Sequence, residues 1–383
     1  MGPLQGLKVV EVASIGPAPW CAMLLSDMGA DVLRVDRASH VGPAEPPTYQ
    51  FDLGNRRGRR SVAVDLKNPA GPEVVLRLAS DADVLLEGFR PGVAERLGIG
   101  PETCLERNPR LVYGRMTGWG QDGPLAQAPG HDINYLAVSG LLHTMGEAGS
   151  RPLPPLNLVA DFGGGGLMLA FGVVSAVLEA TRSGRGQVVD AAMLDGAQLL
   201  GAMVHAMHQT GAWTDAREAN RHDGGAPFYG TYETADGRWL ALAANEPQFY
   251  SDLLKGLGID PGDLPPQDDQ DSWPRVRKQF AEIFRTRTRE EWVGRFQGLE
   301  ACVSPVLTLG EARAHEQNLA RSGFVEADGI LQPAPAPRFS RTPGRVQRPA
   351  AKPGEHTETA LAEWGFTSAE VADLLGSGAV SQR

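Results

Sequence analysis

Cysteine is scarce: Cys21, Cys104 and Cys302 are the three in 383 residues, far apart and odd in number. Such a set forms neither a disulfide framework nor a metal cluster, and a reducing cytoplasm is the expected compartment. Basic charge is short as well, with 36 Lys and Arg against 46 Asp and Glu, a net charge of −10. An acidic chain without a basic run lacks the footprint of a nucleic-acid binder, so an anionic ligand has to be met by local arginines. Long apolar runs are missing too. The longest, 167–178, carries glycine and serine and reads as too short for a membrane span. The opening MGPLQGLKVVEV has no charged stretch followed by an apolar one, so neither a signal peptide nor membrane association is expected. The final Ser381-Gln382-Arg383 is not a peroxisomal address.

What is present is an ordinary globular balance, 42% hydrophobic and 21% charged, which excludes global disorder. A chain of this length carries two to three domains at about 150 residues each. Glycine (47) and proline (29) make up about a fifth of the chain and are spread through it, pointing to many short turns and close backbone approaches. In the first half, β-branched runs at 7–12, 31–35, 61–64, 83–86 and 111–113 read as strands. Segments 17–28, 69–79 and 93–97 read as helices between them, with Pro17 and Pro69 in first turns. That alternation predicts an α/β fold with a Rossmann-like parallel sheet. A long apolar helix over 162–180, a strand at 187–189 and a helix to about Gln209 follow. The polar, glycine-containing 213–225 reads as a linker.

A smaller α+β domain is predicted over 226–325, with strands near 228–233, 238–243, 301–306 and 323–325 and helices from Pro247, near 276–284 and near 289–296. The large domain then spans 1–212 and is completed by 326–383: a proline-rich return strap at 333–349 and a final helix over 367–375, capped by Thr367 or Ser368.

The first strand–helix turn, Val12 to Pro17, has one glycine where a dinucleotide fingerprint needs three. Gly163 to Gly166 lack the Lys-Ser/Thr of a phosphate loop, and four glycines on a helix signal another backbone or a ligand packed very close. His315-Glu316 lacks the second histidine of a zincin, and no serine-hydrolase elbow is found. Three segments remain. In GHDINY (130–135), Asp132 or Asn134 suits a helix cap. In PPLNLVAD (154–161), Asp161 stands where the following helix needs its N-cap. In NEPQFY (245–250), Glu246 precedes a helix with proline at its first position. Capping alone accounts for each segment taken singly.

Together with GRGQVVDAAM, DGGAPFYGTYETADGRW and the opening GLKVVEVASIGPAPWCAMLLSDMGADVLRVDR, these segments closely resemble the α-methylacyl-CoA racemases of the family III (CaiB/BaiF-like) CoA-transferase superfamily. The resemblance is strong over about residues 4–260 and diffuse beyond. It implies an interlocked homodimer whose active site lies between one subunit's large domain and the other's small domain. It makes His131 and Asp161 the two acid/base residues, with Asn157 orienting Asp161 and Glu246 of the partner subunit pairing with His131. Contacts to coenzyme A would fall on Arg37, on Val64, Asp65, Leu66 and Lys67, on Gly88, Phe89 and Arg90, on Arg96, and on Gly130, His131, Asp132, Ile133, Asn134 and Tyr135. The expected substrate is a 2-methyl-branched acyl-CoA thioester.

Inverting a carbon α to a thioester requires one group to remove its proton and another to return one to the opposite face. A histidine and a carboxylate suit this if their surroundings draw their proton affinities together, as burial beside Leu158 and Phe162 would do for Asp161 and a nearby glutamate for His131. The intermediate is an enolate, which calls for donors such as the backbone N–H groups at the helix start after His131. No metal or redox cofactor is needed. Met116, Met193, Met203 and Met207 could supply an adaptable apolar surface for the acyl chain. Two other activities fit the same residues: a CoA-transferase using Asp161 as nucleophile, and a non-catalytic acyl-CoA-binding module.

Overall fold

The computed structural model describes residues 2–42 and 53–383. The chain divides into two units: one comprises 1–139, 156–200 and 320–383, the other 140–155 and 201–319.

The first unit is built on a seven-stranded sheet. Six parallel strands, β1 (Lys8–Val12), β2 (Asp31–Arg37), β3 (Arg60–Val64), β4 (Val84–Glu87), β5 (Val112–Thr117) and β6 (Val188–Ala192), lie in the order 3-2-1-4-5-6. β1 through β5 are nearly fully buried, as strands covered on both faces must be. The seventh strand, Val380–Ser381, comes from the end of the chain and pairs antiparallel with β3, Val380 opposite Val64. Val10, Leu33, Val62, Leu85 and Tyr113 share one core with Leu361, Trp364 and Val371 of the last two helices. The first helix, Pro17–Asp27, begins at a proline as expected. The second runs Gly71–Ser80, so Pro72 rather than Pro69 occupies its first turn.

The return of the chain is fastened by buried charge. Arg57 spans Asp27, at 2.6 Å, and the Pro333 carbonyl, at 2.7 Å, while the Gly58 N–H donates to the Arg348 carbonyl at 2.8 Å. Beneath the sheet, Arg59 and Glu11 form an ion pair with neither side chain exposed. The last helix, Ser368–Gly376, carries a full capping box between Thr367 and Glu370.

The second unit holds a three-stranded antiparallel sheet of Tyr229–Glu233, Trp239–Ala243 and Val303–Pro305. Its helices Pro247–Leu257, Trp273–Phe284 and Arg289–Phe296 enclose an aromatic core of Phe228, Tyr232, Trp273, Phe280, Phe284, Trp292 and Phe296.

Several boundaries differ from the sequence reading. Residues 140–155 and 201–212 group with the second unit. The 213–225 stretch is folded into that unit and is not a loose tether: Trp213 and Asn220 are buried, and the Asn220 side chain joins Asp223, at 2.7 Å, to the Thr214 N–H, at 2.8 Å. The strand near 323–325 is Phe324–Ala327, half of a hairpin with Ile330–Pro333 that groups with the first unit.

The largest departure is the apolar helix. It starts at Leu158, not Phe162, passes through a π-helical stretch, Leu158–Leu167, and continues to Ser183, so Asp161 lies inside its first turns and is not its N-cap. At 26 residues, Leu158–Ser183 is long and apolar enough to cross a membrane, contrary to the expectation from 167–178. Within its unit, one side packs on the sheet, where Leu169 and Val173 meet Gly114 of β5. The other side leaves Phe171 72% and Leu178 53% exposed.

Candidate active site

In an open parallel sheet, the loops after the strands' carboxyl ends part where the strand order reverses, and ligands bind there. Here the reversal falls between β1 and β4. A cavity of about 340 Å³ opens at that point, lined by Ile15 and Gly16 after β1, Gly88, Phe89 and Arg90 after β4, and Met116 through Trp119 at the end of β5. Gly130, His131, Tyr135, Asp161 and Met193 complete its wall. A second cavity of about 440 Å³ adjoins it through their shared Phe89 and lies over β2 and β3, lined by Arg37, Val64, Asp65, Leu66 and Lys67.

His131 immediately precedes the helix Asp132–Ser139. Its N–H donates to Asn134 Oδ1 at 3.0 Å, and its carbonyl accepts from the Asn134 N–H at 2.8 Å, so Asn134 performs the capping expected of it. His131 lines the cavity. The N–H groups of Asp132 and Ile133 fall in the first turn, where an α-helix provides no backbone acceptor for them.

Asp132 points the other way. Its side chain is buried, and its Oδ2 accepts from both the Ala160 and the Asp161 N–H groups at 2.8 Å. The carboxylate that caps the Asp161 helix therefore arrives from a different element, which is why Asp161 is free to turn toward the cavity. Burial pushes Asp161 up to about 6, and the Asp132 charge adds to the rise. A hydrogen bond from Asn157 and the charge of His131 oppose it. The expected burial is present, but Leu158 is more than half exposed, and the neighbouring carboxylate supplies a second cause that sequence reading missed.

Tyr135 lines the same cavity. Its ring lies edge-on to Trp119, with centroids 4.7 Å apart, and a Cβ at Gly118 would come within 2.2 Å of it, so only glycine fits there. The glycine run behind Asp161 serves a backbone approach: a Cβ on Gly164 would meet the Ala197 nitrogen at 2.7 Å, and one on Gly196 the Gly164 oxygen at 1.8 Å.

Gly88, Phe89, Arg90, Gly130, His131, Tyr135 and Asp161 thus share one cavity, and Arg37, Val64, Asp65, Leu66 and Lys67 the next, with Asn157 bonded behind Asp161. Ile133 and Asn134 stand on the helix after His131 without lining the cavity, and Arg96 ends the helix Val93–Arg96, whose Val93 lines the second cavity. Glu246 belongs to the second unit, where it precedes the Pro247–Leu257 helix without a side-chain capping bond. Of the four methionines, Met116 and Met193 line the first cavity. Met203 and Met207 group with the second unit, Met203 being exposed. No cluster of His, Cys, Asp or Glu among the described residues is arranged to hold a metal ion.

The sequence profile of CoA-transferase family III matches residues 4–357. Two relatives are the alpha-methylacyl-CoA racemases of Mus musculus, 47% identical over 376 residues, and of Homo sapiens, 46% identical over 375 residues. Each alignment covers 97% of this chain and 96% of the relative. A solved structure of a CAIB/BAIF family protein from Brucella suis superposes with a TM-score of 0.81 at 26% identity, over 95% of this chain and 99% of that one.

Proposed function

The chain belongs to CoA-transferase family III, and from that premise we propose that it is a racemase, inverting the α-carbon of 2-methyl-branched acyl-CoA thioesters by proton transfer between two bases. The observation that carries this reading is His131 and Asp161 on one cavity, with the carboxyl pushed up to about 6. An aspartate at its ordinary value is a poor proton donor at neutral pH. One near 6 exchanges protons on nearly equal terms with an imidazole.

The thioester enters with its α-carbon between the two groups. In one direction Asp161 takes the α-proton and the His131 imidazolium delivers one to the opposite face; in the other the roles reverse. The electron pair released at the α-carbon moves onto the thioester oxygen, whose negative charge is met by hydrogen bonds donated from backbone N–H groups at the start of the helix after His131. Protons balance without redox change, so the chemistry calls for no cofactor. Coenzyme A lies along the adjoining cavity, its phosphates met by Arg37, Lys67 and Arg90, which concentrate positive charge locally in an acidic chain. Met116 and Met193 offer the acyl group an adaptable apolar wall.

The proposed working form is an interlocked homodimer in which Glu246 of the partner subunit supports the imidazolium of His131. The exposed apolar side of Leu158–Ser183 supports a second protomer as its cover, since a soluble surface rarely leaves so broad an apolar face to water. The proposed compartment is a reducing cytoplasm, consistent with three free cysteines.

The test incubates one enantiomer of a 2-methylacyl-CoA in heavy water, with and without an acceptor acid. Racemisation with α-deuterium uptake and no need of acceptor is the expected result. Acceptor-dependent thioester exchange without inversion would replace this reading with an Asp161-nucleophile CoA-transferase, and neither reaction would leave a binding module.

A further inference from the structure

We propose that the Asp132 carboxylate is a positioning group that joins the two bases: it follows His131 in the chain and grips, from outside, the first turns of the helix that carries Asp161. The inference rests on the racemase reading and deepens it.

The geometry is specific. Asp132 Oδ2 accepts from two consecutive N–H groups, those of Ala160 and Asp161, both at 2.8 Å. The residue is 4% exposed, and its Oδ1 is buried without a protein hydrogen bond. A cap needs one acceptor oxygen and no charge; asparagine serves as well as aspartate. A buried carboxylate whose second oxygen goes unused is an expensive way to cap a helix. Its charge has another effect, because it lies beside Asp161 and favours the protonated form of that group. Among the described residues, the titratable groups that act on Asp161 are Asp132 and His131, and Tyr135 is raised first by burial and then by the charge of Asp161. One side chain therefore sets where Asp161 stands relative to His131 and how readily it holds a proton.

Two substitutions separate these effects. Asp132→Asn keeps an acceptor oxygen for the two N–H groups and removes the charge. Asp132→Ala removes both. In the direction where Asp161 takes the α-proton, kcat/KM falls as pH drops through the Asp161 midpoint, and Asp132→Asn should carry that acidic limb to lower pH by at least half a unit, with KM within about twofold of wild type. Asp132→Ala should lower kcat at least tenfold and reduce α-deuterium exchange from both enantiomers, because both bases lose their common anchor. Circular dichroism and melting curves establish that each variant is folded.

A folded Asp132→Asn variant whose pH profile superposes on wild type would overturn the electrostatic role. A folded Asp132→Ala variant with kcat within twofold of wild type would overturn the positioning role. If wild type itself fails to racemise, the racemase reading has failed; if wild type racemises and both variants behave like it, this inference alone has failed. If Asp132→Ala does not fold, the Asp132→Asn profile decides.

Discussion

At the scale of single residues, two neighbouring carboxylates are treated differently. Asp132 spends its charge on backbone N–H groups inside the protein, while Asp161, beside it, faces the cavity and holds its proton up to about 6. An aspartate in the unfolded chain releases its proton near 3.8. Between those values the folded state binds more protons than the unfolded one, so this group's contribution to stability falls as pH rises from about 4 through 6. Asp161→Asn removes the loss. The variant should melt above wild type at about pH 7.5, by on the order of 1–2 kcal/mol given the carboxylate's solvent-facing edge. The gain should shrink as pH falls through 6 and vanish near 4, as thermal melts across that range would show. A variant less stable than wild type at neutral pH would mean that Asp161 is a structural cap. His131 and Asp161 were legible as candidates because the wording around them is distinctive. The direction of Asp132 was not: its partners lie 28 and 29 residues away, and no local spacing encodes such a contact.

The helix Leu158–Ser183 shows where element-scale reading succeeds and stops. Apolar content made a helix evident. Its start lies four residues before the one the sequence suggests, because the capping oxygen comes from the distant Asp132 and not from a residue adjoining the helix. The π-helical opening escapes pattern reading as well, since 3.6-residue periodicity has no template for it. The glycine run was read in the right terms, as close backbone approach. Gly164 meets Gly196 of the helix Met193–Leu200, with no room for a methyl group on either. Gly196→Ala should therefore cost about 3 kcal/mol, the upper end for overpacking because the obstacle is backbone and cannot turn aside. Urea denaturation measures it, and a loss below 0.5 kcal/mol would show that the two helices separate freely. The same variant should lose activity while still folded, because Met193 on that helix lines the cavity. By contrast, the helix expected near 289–296 runs Arg289–Phe296, its start fixed by a Thr288–Glu291 capping box.

At the scale of the whole molecule, strand–helix alternation sufficed to predict a parallel sheet, but not the order 3-2-1-4-5-6 that opens the cavity between β1 and β4. The closing strand, Val380–Ser381, is two residues long and fixed by pairing with β3, so it carries no pattern of its own. The proposed dimer makes a prediction at this scale. If His131 of one subunit is served by Glu246 of its partner subunit, a Glu246→Ala chain and a His131→Ala chain are each inactive. Mixed by unfolding and refolding, they restore one intact site per heterodimer, or about a quarter of wild-type activity for random pairing. No recovery in verified heterodimers would place the two residues in the same subunit's site. The proposed racemisation requires two bases serving opposite faces. A general acid or base contributes about 10²–10⁴-fold, so losing either of the two proposed bases should nearly abolish inversion. The surviving base can still remove the α-proton on its own face and return a deuteron from solvent. The most direct measurement is α-deuterium incorporation into each separate enantiomer of a 2-methylacyl-CoA, by mass spectrometry in heavy water, for the His131→Ala and Asp161→Ala enzymes. The predicted result is slow exchange of one enantiomer only by the first variant and of the other only by the second; equal residual exchange of both enantiomers by both variants would contradict the assignment.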